Sequence, residues 1–148
     1  MSMWQIIKEQ WKTLPLPVSP ELWRLELAPY DSVQAFAKRA ADELGRLDAL
    51  VANAVVYLDQ WTTVTTGVGQ TKREEETSVV INAALLTLLG LLLLPMLAGT
   101  AKRFPGSKPR LAFAISVLAF SACDDLASIS DDLFDGLNGQ EKANMRNW

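Results

Sequence analysis

Histidine is absent from this chain, cysteine occurs once, and there are only two tyrosines. Without histidine, the usual zinc and iron ligand sets and every histidine-based catalytic dyad are excluded. The lone Cys123 forbids an intrachain disulfide, which suits a reducing compartment, and a cytoplasmic protein is expected. Positive charge is also short: 14 Lys and Arg against 17 Asp and Glu leave a net charge of -3. An acidic chain with no basic stripe is not expected to bind nucleic acid. The first residues, Met1 to Glu9, lack the basic start, apolar run and small-residue cleavage site of a secretory signal. What the chain does have is apolar material, 49% of 148 residues, enough for one core in one domain.

Residues 3–13 place Trp4, Ile7 and Trp11 at helical spacing, with Gln5, Lys8 and Lys12 between them. Pro15, Pro17 and Pro20 then stop the helix and extend the chain. Residues 1–20 therefore read as an amphipathic arm packed on the domain, with a membrane-surface or partner-docking helix as the alternative. Residues 21–148 read as the domain itself.

Within it, residues 21–27 alternate apolar and polar, which predicts a strand. A helix follows, capped by Asp31 or Ser32, with Val33, Phe36, Ala37, Ala40 and Leu44 on its inner face and Gly45 at its end. Leu47–Ala52 is a second apolar strand, so the unit implies parallel pairing through a crossover. The threonine-rich stretch 55–70 reads as a loop. Lys72 to Glu76 are predicted to open a long helix reaching about Ala98, and Leu111–Val117 to form a third strand, buried and parallel. The tail from Ser121 is acidic and loop-rich, with one short helix at Asp131–Leu137.

Ser78 to Leu97 is apolar for long enough to span a bilayer. It also carries Asn82 and Thr87 and sits between two strands that a span would separate, so a buried or dimer-forming helix is expected instead. Asp124, Asp125, Asp131, Asp132 and Asp135 make the densest acidic cluster. A calcium loop there would need ligands where Leu133 and Lys142 stand, so it reads as a solvated loop and no metal site is expected.

Several of these segments, in order, resemble fungal short-chain dehydrogenase/reductases of the secondary-metabolism type. Leu25-Glu-Leu-Ala-Pro-Tyr-Asp-Ser-Val is similar to the family's Leu-Asp-Leu-x-x-Tyr-Asp-Ser-Val run. Leu47-Asp-Ala-Leu-Val-Ala-Asn-Ala54 resembles the strand that ends in Asn-Ala-Gly, and Val80-Ile-Asn-Ala83 the long-helix segment with the family's asparagine. Leu111-Ala-Phe-Ala-Ile-Ser-Val117 resembles the strand ending in a serine pair, and Gly139 to Met145 the stretch ahead of the Tyr-x-x-x-Lys pair. Gln10 to Pro17 is similar to the family's extreme amino end.

The resemblance implies an α/β fold: a partial Rossmann-like three-layer arrangement with a small, mainly parallel sheet of about three strands and a long apolar helix. It implies NAD(P)-dependent hydride transfer on a small-molecule substrate, with NADP as the cofactor. By position it assigns Ser116 and Asn82 to the catalytic machinery, and Glu26 and Asn53 to the cofactor. The sequence departs from the pattern at several points. Pro20 runs straight into the third-strand-like segment, as though a block on the order of 60 residues, two strand–helix units, were missing. With it goes the glycine-rich turn that receives a diphosphate at a helix N-terminus; Gly67 and Gly69 give only a turn. Val55 stands in place of the Asn-Ala-Gly glycine and Ile115 in place of the first serine, and neither Tyr30 nor Tyr57 has a lysine four residues on.

The expectation is thus a truncated relative, an NAD(P)-dependent oxidoreductase by resemblance, whose motifs for ordinary redox chemistry are incomplete. Its alternatives are a non-redox lyase, isomerase or cyclase, or a non-catalytic partner of a full-length relative. With the first two strands missing, residues 22–27 are expected to re-pair beside 47–52, and residues 79–97 to be buried in a homo-oligomer or against a full-length relative.

Overall fold

The computed structural model describes residues 9, 21–58, 60–66, 73–116 and 136–137. Helix α1 spans Tyr30–Glu43. Val33, Ala37 and Ala40 recur on one face at helical spacing and are buried. The opposite face is charged and carries the i,i+4 pairs Lys38–Asp42 at 2.5 Å and Arg39–Glu43 at 2.9 Å. Neither Asp31 nor Ser32 caps the helix. Pro29 holds the cap position with no side-chain bond, and the Ser32 hydroxyl accepts from the Glu26 backbone N–H at 3.2 Å instead.

A small parallel sheet and a long helix form the centre. Strand β1, Ala49–Ala52, pairs in parallel with β4, Arg110–Phe113, in a register running from Ala49 opposite Arg110 to Ala52 opposite Phe113. Between them in sequence come β2, Thr63–Thr66, and β3, Arg73–Glu76, paired antiparallel in a separate two-stranded sheet. The long helix α2 then spans Thr77–Arg103, with Val80–Leu85 wound as a π-helical turn and Leu86–Arg103 as regular α-helix. The result is a partial Rossmann-like α/β arrangement.

Four local expectations are corrected. Residues 21–27 do not pair with β1, whose partner is β4. They run extended, held by side chains: Trp23, Leu25 and Leu27 pack on the core, and Trp23 meets the Phe36 ring edge-on at 5.8 Å. The Arg39 guanidinium stacks over Trp23 at 3.9 Å from its centroid. The 55–70 stretch is not all loop, because Thr63 to Thr66, β-branched throughout, form β2. Its partner takes residues 73–76 out of the helix, which begins only at Thr77. Glu76 becomes the cap, its carboxylate accepting from the Val79 N–H at 2.7 Å. The third strand ends at Phe113 rather than Val117.

Val33, Ala37 and Ala40 of α1 close on Val80, Leu85, Leu89 and Leu93 of α2, with Leu50 of β1 packed against them. Gly90 sits within α2 because Phe113 leaves no room for a side chain: a Cβ there would stand 2.8 Å from Phe113 Cζ. Helix α2 is long and apolar enough to cross a membrane by length and composition. One side of it is buried in this core, and the other exposes Leu91, Leu92 and Leu94, with Leu91 60% exposed. The amphipathic arm apart from Glu9, the Gly67–Gly69 turn and the acidic cluster lie outside the described residues, as does all of the Asp131–Leu137 helix except Gly136 and Leu137, which are helical.

Candidate functional site

Adjacent parallel strands deliver whatever follows them to one edge, and in open α/β sheets that carboxyl edge is where ligands bind. Asn53 to Tyr57 leave the end of β1, and Ala114 to Ser116 leave the end of β4. The register continues one step further, with the Ala114 N–H donating to the Ala52 carbonyl at 2.9 Å. Asn53 and Ser116 are therefore brought to the same edge, and both are exposed.

Asn82 reaches this edge from α2. The Val56 N–H donates to Asn82 Oδ1 at 2.8 Å, and Asn82 Nδ2 donates to the Val56 carbonyl at 2.9 Å. An amide presents one donor and one acceptor side by side, so it can close both bonds of a single residue's backbone. Asn82 lies within the π-helical turn, a local widening frequent at functional positions. It acts here as a positioning residue that pins the loop after β1. Glu26 stands apart. It lies in the extended 21–27 run, outside the sheet, and its carboxylate pairs with Arg24. Of the four assigned residues, then, two share an edge, one braces that edge, and one is engaged elsewhere.

The helix N-termini are the other place where an anion would dock. At α2 the negative group is already built in, because Glu76 is buried and its carboxylate takes the Val79 N–H. The same corner is tied to the hairpin: Thr77 N–H and its hydroxyl both donate to the Thr62 carbonyl, at 3.0 and 2.9 Å. At α1 the Ser32 N–H is already taken by the Pro29 carbonyl at 3.1 Å, and Asp31 places a carboxylate in the first turn. These residues do not form a cradle for a dinucleotide diphosphate. A proton-transfer pair is also missing from the described edge: Tyr57 is exposed beside Val56, and four residues on stands Trp61.

The opposite, amino edge carries the strongest polar cluster. Arg46 grips Asp48 through two bonds of 2.7 Å, and the Ser107 hydroxyl donates to the same carboxylate at 3.1 Å. The Arg46 hydrogen bond, then that from Ser107, holds the Asp48 carboxyl below its ordinary range, against the opposing effect of desolvation. Sequence reasoning missed Val56, Thr62, Glu76 and this cluster. Only the carboxylate ahead of Thr77 carried a local signal, an acidic residue at a helix start.

No family model matches the chain, and no solved structure does. Among curated proteins the matches are fungal short-chain dehydrogenase/reductases, and the chain is related to them. It is 36% identical over 96 residues to one from Cryptosporiopsis sp. (strain 8999), covering 65% of this chain and 26% of that protein. It is 38% identical over 101 residues to one from Annulohypoxylon moriforme, covering 68% and 27%. A short-chain dehydrogenase from Penicillium oxalicum is 39% identical over 83 residues, covering 56% and 26%. The chain spans about a quarter of the length of these relatives.

Proposed function

We propose that this chain is a short-chain dehydrogenase-like module of a fungal biosynthetic system that does not transfer hydride by itself, and that it works by association through the outer face of α2. The observation that carries the first half is the state of the helix N-termini: one is filled by Glu76, and the other carries Asp31 in its first turn with the Ser32 N–H taken by the Pro29 carbonyl. A diphosphate placed at α2 would meet a carboxylate rather than free N–H groups. The acid–base requirement points the same way, since a phenol needs a nearby cation to become a proton donor and acceptor near neutral pH.

The second half rests on Leu91, Leu92 and Leu94. Three exposed leucines in four positions of one helix are a patch that a partner, whether a second copy or a full-length relative, would take out of water. Light scattering after size exclusion tests it. The parent chain is expected to run as a dimer or larger, and Leu91→Glu with Leu94→Glu as a monomer that keeps its helical circular dichroism. A parent that stays monomeric both alone and when mixed with a full-length relative contradicts the association.

A further inference from the structure

Five cations meet at the amino edge of the β1–β4 pair, although no single stretch of the sequence is basic. Arg46 precedes β1, Lys102 and Arg103 end α2, and Lys108 and Arg110 lead into β4. Their contacts hold them in one patch. The Arg46 guanidinium lies 4.6 Å from the Phe104 ring centroid, Arg103 donates to the Gly45 carbonyl at 3.2 Å, and Arg110 donates to the Lys108 carbonyl at 3.3 Å. All five are exposed. Asp48 is the carboxylate set among them, and Arg46 occupies it. The acids at the end of α1, Asp42 and Glu43, are tied to Lys38 and Arg39. No ion pair among the described residues uses Lys102, Arg103, Lys108 or Arg110. Helix polarity accounts for Lys102 and Arg103, since cations suit a helix C-terminus. It does not account for Lys108 and Arg110, which lie past the turn that Gly106 closes at φ 90°. Open space surrounds this patch: at both Gly45 and Gly106, a Cβ would meet nothing within 4 Å. It is a crest rather than a cleft.

We infer that this crest rests on an anionic lipid surface. Cations spread over a protrusion match a broad, flat array of negative charge, whereas an acidic peptide segment is held by a groove. Phe104, 36% exposed and followed by the exposed Pro105, is the apolar tip that enters between head groups. The net charge of -3 does not oppose the contact. Charges further off than a Debye length, about 8 Å at physiological salt, are largely screened, so the local cations decide. This contact is separate from association through the outer face of α2. Leu94 lies about 12 Å back from Lys102 along the helix, at 1.5 Å per residue, and the leucines there carry no charge.

Co-sedimentation of the full chain with vesicles tests this. Binding is expected to phosphatidylcholine vesicles containing about a third phosphatidylserine, and about tenfold or more weaker binding to phosphatidylcholine alone. Raising salt from about 0.1 M to about 1 M, which shortens the Debye length from about 10 Å to about 3 Å, is expected to release the chain. Lys102→Glu with Lys108→Glu is expected to lower anionic binding by about twentyfold or more, at about fivefold per cation. Its circular dichroism should match the parent's, because both side chains are exposed. Arg24→Glu with Lys38→Glu makes the same change of net charge away from the crest and is expected to bind as the parent does. Phe104→Ser is expected to weaken binding while its salt dependence stays. Equal binding to the two kinds of vesicle, equal loss in the two double variants, or no binding to either vesicle overturns the inference. So does binding of poly-glutamate without binding of anionic vesicles, which would assign the crest to an acidic protein.

Discussion

At the amino edge of the β1–β4 pair the backbone is tied to the end of α2 and to the opposite strand, whereas at the carboxyl edge the loop after β1 hangs on Asn82. The Leu47 N–H donates to the fully buried Thr100 hydroxyl at 3.0 Å, Arg103 donates to the Gly45 carbonyl at 3.2 Å, and the Arg110 N–H to the Asp48 carbonyl at 2.9 Å. Arg46 adds a cation–π contact with Phe104 at 4.6 Å. The other edge has the Ala114–Ala52 bond and the two Asn82–Val56 bonds, with Val55, Tyr57 and Ile115 exposed around them. One edge is built as scaffold. The other is built as surface, with loops free to differ, which is the usual division of labour in α/β proteins.

Four substitutions break or sharpen that contrast. Leu93→Ala, in the core that both edges share, is expected to cost about 2–5 kcal/mol and destabilise both alike. Thr100→Val keeps the shape but strands the Leu47 N–H, costing about 1–3 kcal/mol; denaturant melts measure both. Asp48→Asn is expected to lower stability at neutral pH and to flatten its acid dependence. The sign follows from the depressed carboxyl: its contribution is complete above the ordinary carboxylate range, near 4, and is lost as pH falls through the lower folded value. Melting temperature against pH, parent beside variant, checks this. Asn82→Ala is expected to change stability by less than about 1 kcal/mol, because both freed Val56 groups rehydrate. It should nonetheless raise hydrogen exchange across residues 53–58 and leave 44–50 unchanged. Equal loosening at both edges would remove the contrast.

The parts legible in the sequence were those written in local periodicity. The face of α1 follows from spacing alone, and the apolar β1 and the length of α2 from their unbroken apolar runs; which side of α2 is buried does not. Non-local pairing did not. Residues 21–27 have strand alternation, yet Trp23 and Leu25 bury themselves against α1 without a ladder, and alternation cannot distinguish those outcomes. Glu74, Glu75 and Glu76 read as a helix start, and the strand won because Thr65 and Thr66 hydroxyls donate to Glu74 and Glu75 across the hairpin. The site was half legible. Family likeness pointed to Asn82, but its bonds to Val56 could be seen only once the chain was folded.

The central claim is that these residues offer a dinucleotide diphosphate no row of free backbone N–H groups, and titration with NADPH followed by nicotinamide fluorescence tests it most directly. No saturable change up to millimolar cofactor is predicted. A hyperbolic rise with a micromolar midpoint would contradict the account.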